Sequence, residues 1–454
     1  MVVKVFPTKA VSRRMLLGGL PTVLAAPMVA CQRREQAGGQ QVAATQAPAT
    51  IRMLERAGTE EQALDIRVPQ FMEKYTWIKV EREVVTGDII QAQFTMAAAD
   101  TLPDTAHAYL GNQSYHAFSA NGVYVSIEDL IARDKLDLNG WFPALIDAMR
   151  IEGKLHGLPF KGQVLTCGLY YNKDLFDAAG LKYPTEDWTL NDLMEAAQKL
   201  TKREGGETVQ WGYGLQTWGG ENWTGHMRNW DAEWLTQDGR RSLLNTPQIQ
   251  TGLQWYYDMW HKWRTLAPLN LNAAGALFPQ SQCAMLGRCY ANYKSSVLLP
   301  NNVRFNWSMT IMPKGPTGNR GGMFAGDTQA VTRNSKRRDA AYELVKWLCD
   351  KETGVQLGLQ TKGSTTLGGR PDVYADPRIL NHPAYPRDAQ EAQLKSIQVM
   401  KGHFSVPWNF RALEVYRVRD PYLNRIAQGE VQPDTGFLEN LHREVQAILD
   451  QPRP

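Results

Sequence analysis

Cysteine is scarce in this chain, with five in 454 residues, at positions 31, 167, 283, 289 and 349. No CxxC pair and no Cys/His cluster at zinc spacing is among them, which argues against a metal site. Cys283 and Cys289 are six residues apart on what reads as one strand. Their side chains would point the same way and lie too far apart to bridge. The four cysteines after Cys31 therefore read as small buried apolar residues. An excess of one charge is also missing. The first 30 residues hold four of the 50 Lys and Arg and none of the 46 Asp and Glu, so 46 of each follow. That balance leaves no basic surplus for nucleic acid. No later stretch is long and uncharged enough to span a bilayer, so the body reads as soluble and globular and not as a transporter itself. GxSxG, HExxH and P-loop patterns are absent. Gly212 and Gly214 in WGYGLQTWGG lack the third glycine and the helix signal of a dinucleotide loop. The eight histidines stand without a nucleophile or carboxylate at a telling spacing and read as surface or satisfied core residues. No cofactor is expected.

What is present begins with a leader. Lys4, Lys9, Arg13 and Arg14 precede an apolar run from Met15 to Ala30 that contains Gly18, Gly19 and Pro21. The run is shorter than the roughly 20 residues of a spanning helix, and its flanks have the layout of a secretory signal. Arg13-Arg14 after Ser12 resembles a twin-arginine export signal. Met28-Val29-Ala30-Cys31 resembles a lipobox, with Met28 where Leu is usual and Cys31 as the lipid-attachment residue. Residues 1–30 are thus expected to be a signal peptide. Residues 31–50, rich in Gln, Ala, Gly and Thr and without aromatics, have the composition of a flexible tether.

About 400 residues remain, too many for one ordinary core, so two domains or a two-lobed fold are expected. Helical and strand periodicities alternate, which predicts an α/β class. Ile51 to Leu54 reads as a strand, followed by Gly58-Thr59 and a helix in which Ala63, Ile66, Phe71 and Met72 share a face. Ile78 to Val85 alternates as a strand, a helix with Ile89, Ile90 and Phe94 follows, and Ala106 to Leu110 is the next strand. Thr246 and Pro247 open a helix running to Trp263, with Ile249, Leu253, Tyr256, Trp260 and Trp263 on one stripe. Trp260 and Trp263 therefore read as core. A surface helix is expected from Phe437 to Leu449.

Aromatic and amide clusters such as QTWGGENW at 216–223 fit a sugar site. An indole covers the apolar C–H face of a sugar while amides and carboxylates take its hydroxyls. Two unflagged carboxylates could still hydrolyse a glycosidic bond, so residue patterns alone leave a carbohydrate-active enzyme open beside a binding protein.

FMEKYTWIKVERE at 71–83, TLPDTAHAYL at 101–110, GKLHGLPF at 153–160, LYYNKDLFDAAGLKYPTEDWTLNDLMEAAQKLT at 169–201 and MPKGPTGNRGG at 312–322 resemble the extracellular solute-binding proteins of ABC importers, in the group that includes maltose- and glycerol-phosphate-binding proteins. The resemblance runs from about residue 51 to the C-terminus. It implies a type II periplasmic-binding-protein-like fold, two α/β lobes joined by crossing strands with a ligand cleft between them. Carried onto this chain, the first lobe takes 51–161 and 321–352, and the second takes 162–320 and 353–454. It also implies a non-enzymatic monomer outside the cytoplasmic membrane, held there by lipid on Cys31. Its partners would be a small-molecule ligand and the permease subunits.

The ligand contacts that follow from the resemblance lie in loops at strand ends. They are Arg56, Thr59, Glu60, Tyr109, Asn112 and Gln113 on the first lobe. On the second they are Tyr170, Trp218, Tyr290 and Trp408, with Gly326 and Asp327 beside the later crossing. In CAMLGRCYANY the family's usual aromatic is replaced by Cys289, followed by Tyr290, which could move a stacking platform. Asp104 reads as structural, accepting backbone hydrogen bonds at a turn. The aromatic and amide content favours a carbohydrate, from mono- to oligosaccharide. A polyol phosphate, a peptide or another small solute stays open, and a second base near Arg56 would favour an anion.

Overall fold

A computed structural model of the chain describes residues 47–110, 114–165, 168–215, 219–271, 275–287, 298, 301–361, 366–399 and 409–452. The expected signal peptide, Cys31 and the expected tether through residue 46 lie outside them.

Ten strands among the described residues form two five-stranded sheets. In chain order they are β1 Ala49–Arg56, β2 Ile78–Val85, β3 Thr105–Tyr109, β4 Gly157–Leu165, β5 Gly168–Asn172, β6 Lys202–Glu204, β7 Glu207–Leu215, β8 Cys283–Gly287, β9 Trp307–Ile311 and β10 Met323–Val331. The first sheet has the order β2-β1-β3-β10-β4 and the second β6-β7-β8-β5-β9. β1 runs parallel to β2 and β3, whereas β10 is antiparallel to both β3 and β4. The chain passes between the sheets from β4 to β5 and returns from β9 to β10.

The first strand-helix-strand unit follows the sequence pattern closely. β2 has the expected bounds, and the helix Glu61–Lys74 buries Ala63, Leu64, Val68 and Phe71. Ile66 departs from expectation and is 41% exposed; buried Arg67 takes a place on the packed face instead. It donates to Thr353 Oγ1 at 2.9 Å and Asp350 Oδ2 at 2.6 Å, with its guanidinium 4.0 Å from the Trp347 ring centre. Phe94 is likewise exposed, while Ile89 is buried. Asp104 has the structural role expected of it, accepting from Arg52 N at 2.8 Å and Ser335 Oγ at 2.7 Å.

The second sheet packs under an aromatic core containing Trp223, Trp230, Trp234, Tyr256 and Trp260. Thr246 caps the helix Pro247–Tyr257 through its extended backbone, and the last turn, Asp258–Lys262, widens into a π-helix. Trp260 is buried and Trp263 half-buried. Gly212 is accounted for by close packing, since a Cβ there would come within 1.9 Å of Ala197 O. Cys283 and Cys349 are buried free thiols, and burial pushes both thiol pKa values up.

The return crossing is clamped by the short helical turn Arg228–Trp230. Asn229 Oδ1 accepts from Gly321 N at 2.7 Å, and Arg228 Nη1 donates to Gly322 O at 3.1 Å. Beyond β10, residues 353–361 and 366–380 pack with the first sheet, although the expected lobe boundaries group them with the second. Gln360 Oε1 accepts from Ala63 N at 3.0 Å, Gly162 N donates to Leu367 O at 3.0 Å, and Tyr374 Oη donates to Gly162 O. The helix Arg387–Val399 then lies against β9, β4 and β5, and the helices Ala412–Gln428 and Thr435–Leu449 close the second core. Among the described residues no helix is long and apolar enough to cross a membrane.

Candidate functional site

One row of polar side chains runs across the first sheet. Arg56 ends β1 and Tyr109 ends β3, two parallel strands. Tyr109 is paired with Asp327 of β10, and Asp327 with Lys161 of β4. Directly opposed residues of an antiparallel ladder share a face, so the three side chains stand side by side. Glu60, the residue before the helix Glu61–Lys74, comes down onto them.

Arg56 Nη2 lies 2.8 Å from Glu60 Oε1, and Arg56 Nη1 donates to Tyr109 Oη. Lys161 Nζ donates to the same Glu60 oxygen and stands 3.0 Å from Asp327 Oδ2. His107 Nε2 is 3.2 Å from that Asp327 oxygen. Glu60 and Lys161 are each 1% exposed and Asp327 5%, whereas the Arg56 side chain keeps 27% of its surface. Solvent therefore reaches the row through Arg56 and half-buried Tyr109. Glu60 Oε2 and Arg56 Nε, both buried, have no hydrogen-bond partner.

The electrostatics keep Arg56, Glu60, Lys161 and Asp327 charged. Burial alone would raise the Glu60 pKa, but the charges of Lys161, His107 and Arg56 bring it below the ordinary carboxylate value. Asp327 is held well below its usual range: burial opposes ionisation, and Lys161 and His107 outweigh it. Burial would lower Lys161, yet Glu60 and Asp327 raise it. Two cations thus face two carboxylates. Desolvating four charges is costly unless they are mutually paired, and buried charge of this kind concentrates at functional sites. The carboxyl ends of β1 and β3 are also where an open α/β sheet places ligands, since the strand order reverses between these two strands.

Of the residues expected from the sequence, Arg56, Glu60, Tyr109 and Asp327 come together here. Gly326 adjoins them as a packing residue, opposite Gly162, where a Cβ would come within 2.5 Å of Lys161 O. Thr59 is not in the row; its carbonyl accepts from Gln360 Nε2 at 3.3 Å. Tyr170 is a buried residue of β5 in the second sheet, with its ring against Trp307 and Phe278. Asn112, Gln113, Trp218, Tyr290 and Trp408 lie outside the described residues. Sequence reasoning missed Lys161 and His107. A lone lysine inside the apolar run LPFKG, next to an expected crossing, was the available signal for the first. Nothing in TAHAY distinguishes His107 from a core histidine. Among the described residues no group of three or more His, Cys, Asp or Glu side chains is arranged to hold a metal ion.

The family model of bacterial extracellular solute-binding proteins matches residues 57–354, more than half of the chain. The chain belongs to that family. A putative binding protein of Brucella abortus is 30% identical over 210 residues, 44% of this chain and 48% of its own length. The chain thus matches about half the length of that curated relative. Among solved structures, an ABC substrate-binding protein from Listeria monocytogenes in complex with cycloalternan superposes with a TM-score of 0.74 at 20% identity, over 88% of this chain and 98% of that one. A solute-binding protein from Agrobacterium radiobacter in complex with ribitol gives 0.69 at 21% identity, over 88% and 99%. These likenesses establish the two-lobed fold of type II periplasmic binding proteins.

Proposed function

We propose that the chain is the substrate-binding component of an ABC importer. It would capture a neutral carbohydrate, from mono- to oligosaccharide, outside the cytoplasmic membrane and deliver it to permease subunits, acting as a monomer held by lipid on Cys31. The observation that carries the ligand class is the charge balance of the row. A second base does stand beside Glu60, as an anion site would need, but Lys161 is matched by Glu60 and Asp327. An uncharged hydroxyl can donate to a carboxylate and accept from a guanidinium at once. The cycloalternan and ribitol complexes of proteins with the same fold support this reading.

The two carboxylates also speak against glycoside hydrolysis. That reaction needs one carboxyl held protonated near neutral pH, and both Glu60 and Asp327 are shifted the other way. Closure of two lobes around ligand would follow from contacts made to both, which favour the closed population. The proposed lobes follow the sheets, with residues 353–361 and 366–380 going to the first because they pack on it.

The test is a thermal-shift screen of the chain from Gln32 onward against mono- and oligosaccharides, polyols, polyol phosphates and amino acids. A ligand at 100 times its Kd adds about 2.7 kcal/mol of stability. A neutral sugar or polyol that raises Tm and is recovered intact supports the proposal, and Trp218→Ala and Trp408→Ala then test the aromatic contacts outside the described residues. A sugar recovered cleaved, or a shift confined to charged solutes, refutes it.

A further inference from the structure

Lys161 has almost no surface of its own, yet the charge of the whole row depends on it. Its ammonium bonds Glu60 Oε1 and stands 3.0 Å from Asp327 Oδ2, while Arg56 holds the other side of Glu60. Arg56 and Lys161 bring two positive charges to the row, and Glu60 and Asp327 two negative ones.

We propose that Lys161 is a positioning residue that sets ligand specificity: by neutralising Glu60 and Asp327 from beneath, it makes the site accept uncharged polyhydroxyl ligands and reject phosphorylated and amino-bearing ones. The inference rests on the reading that this row receives the ligand. A phosphoryl group brings about −1.5 to −2 charges and only acceptor oxygens. It would meet Arg56, whose charge Glu60 already answers, and would bring negative charge toward Glu60 and Asp327. A ligand ammonium would meet the Arg56 guanidinium, the most exposed of the row's four charged groups. A pair of neighbouring hydroxyls has neither conflict. One can donate to a carboxylate oxygen and the other accept from a guanidinium N–H, the two kinds of group that Glu60 Oε2 and Arg56 Nε leave without a protein partner.

The experiment changes the charge of the row and then restores it. Wild type, Glu60→Gln (net +1) and Glu60→Gln with Lys161→Gln (net zero) are titrated by calorimetry with maltose, ribitol, glucose 6-phosphate and ribitol 5-phosphate. Folding of each variant is checked by circular dichroism. Wild type is expected to bind a neutral probe and ignore the phosphates. Glu60→Gln should narrow the gap between ribitol and its phosphate, or maltose and glucose 6-phosphate, by about tenfold or more, and the double variant should widen it again. A purely structural lysine would change affinity for all probes alike. If Glu60→Gln does not fold, Asp327→Asn makes the same change of charge. Arg56→Gln, at a partly exposed position, makes the opposite one and should gain affinity for glucosamine relative to glucose. A folded charge variant whose preference is unchanged overturns the inference. Wild type that binds phosphates and no neutral probe overturns the reading beneath it, so the two failures are distinguishable.

Discussion

Lys161 Nζ lies 3.0 Å from Asp327 Oδ2 across a directly paired position of β4 and β10, and both side chains are buried. Removing one partner of such a pair leaves an uncompensated charge in a poorly hydrated place, at a cost of roughly 3–5 kcal/mol. Lys161→Met is therefore expected to lower the urea midpoint substantially at pH 7 without changing the slope. A loss below about 1 kcal/mol, the worth of an exposed pair, would show that the row is solvated.

Arg56 and Tyr109 are the accessible end of the row, so their loss should act on ligand and leave the fold largely intact. Arg56→Ala is expected to weaken binding of the ligand found in the screen by roughly 10- to 100-fold, as for hydrogen bonds to charged groups. Tyr109→Phe, which frees Arg56 Nη1, should cost less. Calorimetry together with Tm separates the two effects: a fall in Tm with unchanged Kd would place both residues in the scaffold only.

Two buried histidines predict a loss of stability in mild acid. Burial lowers His226 from 6.5 to about 3, and lowers His116 to about 4 against an opposing hydrogen bond from its ring to Ala148 O. Below pH 6.5 the unfolded chain binds a proton at each site before the folded chain does. Stability is then lost as pH falls, by up to about 1.4 kcal/mol per pH unit for each histidine. Between pH 6.5 and 5 Glu60 and Asp327 contribute little, because their ordinary values are 4.5 and below and the fold lowers them further. His226 has no partner for either ring nitrogen. His226→Leu should therefore flatten the pH dependence and hold or raise stability at pH 7, since an apolar residue removes an unsatisfied polar group. Urea midpoints from pH 7.5 to 5 check this, and a parallel slope in the variant would contradict it.

The crossing from β9 to β10 admits no added bulk. A Cβ at Gly315 would come within 1.7 Å of Asn229 O, and one at Gly321 within 2.3 Å of Gly225 O, both backbone atoms that cannot swing aside. Gly315→Ala is expected to cost about 1–3 kcal/mol or more as overpacking, read as a lower Tm. An unchanged Tm would mean that the crossing is not held against the Arg228–Trp230 turn.

Local signals made much of the fold legible. In the block from Tyr170 to Thr201, Asn172 Oδ1 caps its helix by accepting from Leu175 N at 3.1 Å, Gly180 ends it at φ 63°, and Thr189 with Asp192 forms a capping box. Those choices are made within a few residues, so sequence patterns carry them. Arg56, Glu60, Tyr109 and Asp327 were legible because strand ends can be placed from periodicity and resemblance. Lys161 was not, since its role exists only once β4 lies against β10. Ile66 misled for the mirrored reason: its apolar side chain fits the helical stripe, but buried Arg67 finds Asp350 and Thr353 on a distant segment. The packing of residues 353–361 and 366–380 on the first sheet also depends on contacts that no local pattern announces.

β10 sits between β3 and β4, and among the described residues β4 has no other ladder partner. As the chain is synthesised, β1, β2 and β3 emerge early, then β4, which must wait until residues 323–331 arrive to close the sheet. Closing so long a loop delays assembly, and the edge of β3 stays unpaired meanwhile, open to wrong partners. Tyr109, Asp327 and Lys161 become neighbours only at that final insertion. A chain ended before Met323 should therefore bind no ligand and show no cooperative unfolding of the first sheet by circular dichroism; acquisition of binding and completion of folding are one event.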